Sequence, residues 1–267
     1  MRASFTLELE EAMSEHVILS SAGGVLEIRL NRPEKKNALT RDMYQAMAAA
    51  FEAADSDPTV RVLILTGTGD AFTSGNDVGD FQKRADGGLE SSAGRFLPAI
   101  SGLQKPLIGA VNGMAIGVGT TMLMHCDLLI AASTARFMMP FTALGLVPEA
   151  ASSLLVPRAI GHARASQMLL LGEAIDAQTA LEWGLVNKVV DAAVLMDAAR
   201  EMAARLAAVP PEAVRQTKAL MKHDTQDVPG RMEAELTIFK QRLVSPEAKE
   251  AFAAFAEKRK PDFSKFN

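Results

Sequence analysis

Short β-branched runs recur through the first part of this chain and give way to long helical stripes in the last third. His16 to Ser20 and Val25 to Leu30 are two such runs, and Ser21-Ala22-Gly23-Gly24 between them predicts a hairpin. Met43, Met47, Ala50, Phe51 and Ala54 then recur at helical spacing behind Thr40, a good capping residue. This predicts an amphipathic helix over 40–54 that Asp57-Pro58 ends. Buried strands are predicted at 61–66 and 107–111, shorter ones at 127–131 and 136–139, and helices at 120–125, 149–156 and 163–171. The stretch 79–103 is polar and weakly periodic and reads as mobile helical pieces over a cleft. From Asp176 the pattern is helical: a short helix with Leu181, Trp183 and Leu185, then long ones over 191–208, 212–223, 230–243 and 246–258. In the 230–243 helix, Met232, Leu236, Phe239 and Leu243 form one apolar stripe. Mixed strands and helices followed by helices alone predict an α/β core with a C-terminal helical layer.

Composition narrows the function classes. The chain has 267 residues, 48% of them hydrophobic, enough for one large core. A net charge of −4 offers no global basic field for nucleic acid, and no apolar run reaches membrane-spanning length, so neither partner is expected. One cysteine, Cys126, leaves no internal disulfide and fits a reducing compartment. Met1 to Glu15 lacks the basic-then-apolar order of a secretory signal, and Lys265-Phe266-Asn267 is not a peroxisomal tripeptide, so a cytoplasmic protein is expected. Gly-x-x-x-x-Gly-Lys, Gly-x-Gly-x-x-Gly, His-Glu-x-x-His and Gly-x-Ser-x-Gly are all absent, and the four histidines have no zinc-ligand spacing. Nucleotide hydrolysis, fingerprint-loop hydride transfer and serine hydrolysis lose support. Cys126 reads as a packed residue at a helix end.

What remains is a pair of glycine-bearing turns, Phe72 to Asn76 and Asn112 to Val118, each after a buried strand. Gly75 permits a close backbone approach, and the second turn ends where a helix begins, with its N–H groups unpaired. Two such N–H groups converging on one oxygen would stabilise an oxyanion or enolate. The same spacing also fits ordinary strand–glycine–helix connections.

Several stretches carry a resemblance that decides between those readings. Ala110-Val111-Asn112-Gly113-Met114-Ala115-Ile116-Gly117-Val118-Gly119, running on to Cys126-Asp127, resembles the signature of the enoyl-CoA hydratase/isomerase (crotonase) superfamily. Asn31-Arg32-Pro33 before Lys36-Asn37-Ala38-Leu39 resembles its CoA-binding stretch, and Ala71 to Asp77 its first oxyanion-hole motif. Ala180 to Val186 and Phe255 to Phe263 resemble its later segments, so the match spans almost the whole chain in order. The resemblance implies a spiral of ββα units over 1–200, followed by a helical trimerisation region over 201–267, and a homotrimer or dimer of trimers. It places the two oxyanion donors on the backbone N–H groups of Asn76 and Val118, facing the carbonyl of an acyl-CoA thioester. It implies substrate contacts at Lys35, Lys36, Ala38, Ser74, Gly75, Asp77, Gly117, Phe141, Phe255 and Lys258, with Lys258-Arg259-Lys260 beside the CoA phosphates. No metal or redox cofactor is expected, because coenzyme A enters as part of the substrate.

The family's hydratases use two glutamates, and here those positions are Thr121 and Phe141, which cannot do general acid–base work. Leu144 to Ser153 instead resembles the Pro-Glu-x-x-Ser-Ser segment of Δ3,Δ2-enoyl-CoA isomerases, where the glutamate is the base; that residue is Glu149. Its apolar neighbours would raise its pKa, while a helix beginning at 149 would favour the charged form. The resemblance therefore implies an isomerase with Glu149 as base. Hydration through Glu149 and water, or acyl-CoA binding without catalysis, are the alternatives.

Overall fold

The structure is a computed structural model and describes residues 14–77, 94–222 and 227–266. Most of the expected 79–103 stretch therefore lies outside the described residues.

Two sheets are built by pairs of strands that the chain deals out alternately. The first holds β1 (Val17–Ala22), β2 (Val25–Leu30), β3 (Val62–Gly67), β5 (Leu107–Val111), β7 (Leu128–Ala132) and β10 (Lys188–Val190), in that order. The second holds β4 (Ala71–Thr73), β6 (Met114–Ile116), β8 (Arg136–Met138) and β9 (Ile175–Asp176). The predicted hairpin is present, with β1 antiparallel to β2; from β2 onward the large sheet is parallel. Each of β3, β5 and β7 is followed within a few residues by a strand of the small sheet and then by helix. This is the expected spiral of ββα units.

The helices between strands are α1 (Arg41–Ser56), α2 (Phe96–Gly102), α3 (Val118–Thr121), α4 (Ser152–Ile160), α5 (His162–Leu169) and α6 (Ala177–Glu182). Among the described residues, the chain closes with α7 (Leu195–Ala207), α8 (Pro211–Lys222), α9 (Val228–Leu243) and α10 (Pro246–Ala256). Thr40 caps α1 as expected, its side chain accepting the N–H of Met43. Strands β4, β6, β9 and β10 were not expected; they have two or three residues each, too short for a two-residue period to show. The expected helix over 191–208 begins only at Leu195, because β10 and a 3-10 turn precede it.

Strand β3 is buried at every position, so the large sheet has two covered faces. Leu63, Leu65, Leu107 and Val111 join the main core with Met47 and Phe51 of α1, whereas Val62, Ile64, Ile108 and Ile130 pack on Leu195, Ala199 and Ala203 of α7. The expected boundary between 200 and 201 falls inside α7, and that helix covers the strands.

Glycines set the spacing between the two sheets. A Cβ at Gly113 would sit 1.9 Å from the Asp70 carbonyl oxygen, and one at Gly67 would sit 2.5 Å from that of Ala71. Gly113→Ala is therefore expected to lower unfolding stability by about 1–3 kcal/mol. Gly102, at the end of α2, has open space around it, and Gly102→Ala is expected to stabilise by about 0.4–1 kcal/mol. Urea unfolding of the two variants checks the contrast in sign.

Candidate active site

Strands β4 and β6 run parallel, with Thr73 opposite Ala115, so the turns that leave them emerge side by side. Two glycines let those turns touch. A Cβ on Gly75 would lie 2.8 Å from the Ile116 carbonyl oxygen, and one on Gly119 would lie 2.5 Å from the Thr73 methyl carbon. Gly75 has φ +91° and Gly117 has φ +57° with ψ −120°, backbone that side chains rarely adopt. Among the described residues, no acceptor takes a hydrogen bond from the N–H of Asn76 or of Val118. Val118 is the first residue of α3, so its N–H has no carbonyl one turn back to bond within the helix.

The first turn is held by the stretch expected to bind CoA. Leu39 N–H donates to the Gly75 carbonyl and Asp77 N–H to the Leu39 carbonyl, a parallel bridge between Leu39 and Asn76. Ser74 N–H donates to the Lys36 carbonyl, and the Thr73 hydroxyl to the Asn37 carbonyl at 2.6 Å. The Asn37 amide is fully buried and donates to the carbonyls of Thr68, Ala71 and Phe72. Arg32 pairs with Asp77 at 2.6 Å and also donates to the Ala38 carbonyl. The Tyr44 hydroxyl donates to Oδ1 of Asn76 at 2.7 Å. Arg32 and Asn37 stand in the stretch that resembles a CoA-binding segment, but the resemblance gave them no bracing task, and Tyr44 stands in no motif.

Glu149 reaches the helix that follows the second turn through Thr121. The Thr121 hydroxyl, at the end of α3, donates to Oε1 of Glu149 at 2.5 Å. Thr121 stands where a hydratase glutamate would stand, and here it supplies a hydrogen-bond donor instead. Phe141, at the other such position, is buried in the main core with Leu146. Burial is the largest influence on the Glu149 carboxyl and pushes its pKa up to about 7; the Thr121 hydrogen bond pulls it down, and the nearby Glu235 carboxyl adds to the rise.

Glu149 is not in a helix. Helix α4 begins at Ser152, not at 149 as expected, because Ala150 and Ala151 both take left-handed backbone, at φ +59° and +56°. The opposing pull of a helix start on Glu149 is therefore missing. The free N–H groups of that start go to Glu235 of α9, which accepts from Ala151 at 2.7 Å and from Ser153 at 2.9 Å. Glu235 is 5% exposed, whereas Leu236, expected on the inner stripe, is 37% exposed. Met232, Phe239 and Leu243 of the stripe are partly buried, so its phase holds, and at its centre the carboxyl of Glu235 takes the inner position in place of Leu236.

The other expected contact residues lie in separate parts of the fold. Ala38, Ser74, Gly75, Asp77 and Gly117 all line the two turns. Lys36 lies beside them with its ammonium on Asp70 at 2.6 Å, and Lys35 is exposed on the adjacent 3-10 turn. Phe255 is 64% exposed on α10, and Lys258 follows it. Neither makes a hydrogen bond or ion pair with Asn76, Val118 or Glu149 among the described residues. Arg259 pairs with Glu250 and Glu257, so this part of the basic tail is already engaged. The Cys126 thiol is pushed up to about 12 by burial, which leaves it protonated and matches its reading as a packed residue. Among the described residues, no group of three or more His, Cys, Asp or Glu is arranged to hold a metal, and no helix is long and apolar enough to cross a membrane.

The spiral of ββα units is the crotonase fold, and comparison with known proteins gives the family, whose members process acyl-CoA thioesters. Residues 20–266 match the enoyl-CoA hydratase/isomerase family, and the chain belongs to it. It is 36% identical to 1,2-epoxyphenylacetyl-CoA isomerase of Escherichia coli, over 94% of this chain and 99% of that one. It is also 36% identical to enoyl-CoA delta isomerase 2 of Rattus norvegicus, over 93% of this chain and 65% of that one. A crystal structure of an enoyl-CoA hydratase/isomerase from Pseudoalteromonas atlantica superposes with a TM-score of 0.89 at 44% identity, covering 93% of this chain and all of that one. Other relatives carry hydratase and dehydratase names, so the family fixes the substrate class and leaves the reaction open.

A carboxyl with its pKa raised to about 7 in the fold, against an ordinary value of 4.5, binds its proton more tightly when folded. Its contribution favours folding below pH 4.5 and is lost as pH rises through about 7. Glu149→Gln keeps an acceptor for Thr121 and removes the ionisation. At pH 8 it is expected to stabilise the protein by up to about 3 kcal/mol, fading to nothing near pH 4. Thermal unfolding at the two pH values checks this.

Proposed function

We propose that this protein shifts the double bond of a 3-enoyl-CoA to the 2-position, with Glu149 as its single base. The observation that carries the reading is the Thr121–Glu149 hydrogen bond. It leaves one carboxyl beside the two turns, with a hydroxyl at one hydratase position and a buried ring at the other. Glu149 takes the proton from C2, and the electrons of the C2–H bond spread over C2 to C4 and the thioester oxygen. The N–H groups of Asn76 and Val118 hold that oxygen as it becomes negative. The same carboxyl then delivers the proton to C4, and the double bond comes to rest between C2 and C3. Nothing is gained or lost overall, so the reaction calls for no water, metal or redox partner. A base whose pKa lies near neutrality suits both halves of the transfer. Positioned base catalysis supplies about 10²–10⁴-fold, and the two N–H donors and the fixed geometry supply the rest.

The reading also takes Lys35 and Lys36 toward the CoA phosphates, and Phe255 and Lys258 toward the CoA of a neighbouring copy in a homotrimer or dimer of trimers. Leu220, Met221, Ile238 and Phe255 are apolar and exposed on the C-terminal helices, which supports such an assembly. Hydration is the second reading; it is favoured by the relatives named as hydratases and would use Glu149 to activate water.

Incubation with 3-hexenoyl-CoA and with crotonyl-CoA separates these readings. Isomerisation of the first is expected. Turnover of crotonyl-CoA to the 3-hydroxyacyl product, with 3-hexenoyl-CoA untouched, would replace isomerase by hydratase, and binding without turnover of either would favour a non-catalytic role. Glu149→Gln is expected to lower kcat by about 10²–10⁴-fold with CoA-ester affinity within about twofold of the original. Near-normal turnover by that variant would move the base elsewhere.

A further inference from the structure

Glu149 is carried by a turn that opposes its own local preferences. Two successive alanines in left-handed backbone cost about 1–2 kcal/mol each, and neither side chain can form the local hydrogen bonds that let Asn or Asp tolerate the region. Something outside the turn must hold it. The peptide unit joining Ala150 to Ala151 is gripped at both ends. Its carbonyl accepts the Nε2–H of His125 at 2.9 Å, and its N–H donates to Oε2 of Glu235 at 2.7 Å. His125 is buried and its pKa is pushed down to about 4, so the ring is a neutral donor. Glu235 reaches in from α9, far along the chain, and its other oxygen takes the N–H of Ser153.

We propose that Glu235 is a positioning residue for the Glu149 carboxyl: it holds the Ala150–Ala151 turn that aims Glu149 and places a second negative charge behind it. The inference rests on Glu149 being the base. Glu235 does not touch the two oxyanion turns, and both its oxygens are committed to backbone N–H groups, so it is not a second acid for hydration. The charged and titratable groups around the pair are few. Arg231 on the same helix and the Ser153 hydroxyl support the Glu235 charge against burial, and the Thr121 hydroxyl supports that of Glu149. Repulsion between the carboxyls helps keep Glu149 poised to hold a proton as well as release one.

Two variants test this, read by carbon-13 NMR of the glutamate carboxyls and by turnover of 3-hexenoyl-CoA. The Glu149 signal is assigned through its loss in Glu149→Gln. Glu235→Gln keeps shape and removes charge, so the Glu149 titration midpoint is expected to fall by at least about half a pH unit. The rising limb of the pH–rate profile should move down with it, and kcat should fall about tenfold or more with KM within about twofold. Glu235→Asp keeps charge and shortens reach: its midpoint should stay within about 0.2 unit while kcat falls about tenfold. An unchanged midpoint in a folded Glu235→Gln, or an unchanged kcat in Glu235→Asp, overturns the proposal. If Glu235→Gln does not fold, Glu235→Asp alone decides. A midpoint that moves in a protein inactive on 3-hexenoyl-CoA supports the positioning role while removing the isomerase reading.

Discussion

Two backbone turns lie in contact because Gly75 and Gly119 have no side chains, and the candidate site depends on that contact. A Cβ at either position would push into the Ile116 carbonyl or the Thr73 side chain. The parallel pairing of β4 with β6 brings the turns alongside, and the missing Cβ atoms let them close the last ångströms. Everything else at the site is support for this arrangement. Asn37 fastens the carbonyls before the first turn, Tyr44 holds the Asn76 side chain, and Arg32 anchors Asp77. The spiral topology serves the same end, since it sends each strand pair to the same two sheets and so lines up successive turns.

The second constraint is electrostatic. A carboxyl at a helix start would be held ionised, and one merely exposed would titrate near 4.5. Glu149 does neither, because the left-handed pair Ala150–Ala151 detaches it from α4 and leaves it against apolar surroundings. The helix start then needs another anion, and Glu235 supplies it. One backbone distortion thus separates two carboxylates into different roles, one bound to backbone N–H groups and the other to a single hydroxyl. Environment alone assigns those roles, since the side chains are identical.

Much of this was legible in the sequence, and the parts that were not share a cause. The hairpin, α1 with its Thr40 cap, the long strands and the helical C-terminal third follow from local periodicity, and the structure contains them. The motif residues Asn76, Val118 and Glu149 stand in recognisable runs, and the fold gathers them through β4, β6 and Thr121. Illegible features were those created by tertiary contact. Helix α4 starts late because His125 and Glu235 hold a turn that alanine would not choose. Glu235 itself looked like the polar neighbour of an apolar stripe, because Leu236 beside it fits the same spacing and nothing local shows that the carboxyl takes the inner place. Short strands such as β4 and β6 exist because their neighbours pair with them, not because three residues prefer extension.

Thr121 shows why the departure from the hydratase pattern is informative in itself. Replacing a carboxylate by an alanine would leave the Glu149 carboxyl facing only apolar groups, and its pKa would climb further with burial unopposed. Retaining a second glutamate would add a like charge at hydrogen-bond distance, and the two would share one proton. A hydroxyl avoids both outcomes. It donates one hydrogen bond to the ionised form, carries no charge, and brings no proton that it could release at neutral pH. Under the proposed isomerisation, the remaining carboxyl carries a single proton to and fro beside the two N–H groups. Such a shuttle moves one proton between two carbons, whereas in hydration, the second reading, water must lose a proton while carbon gains one.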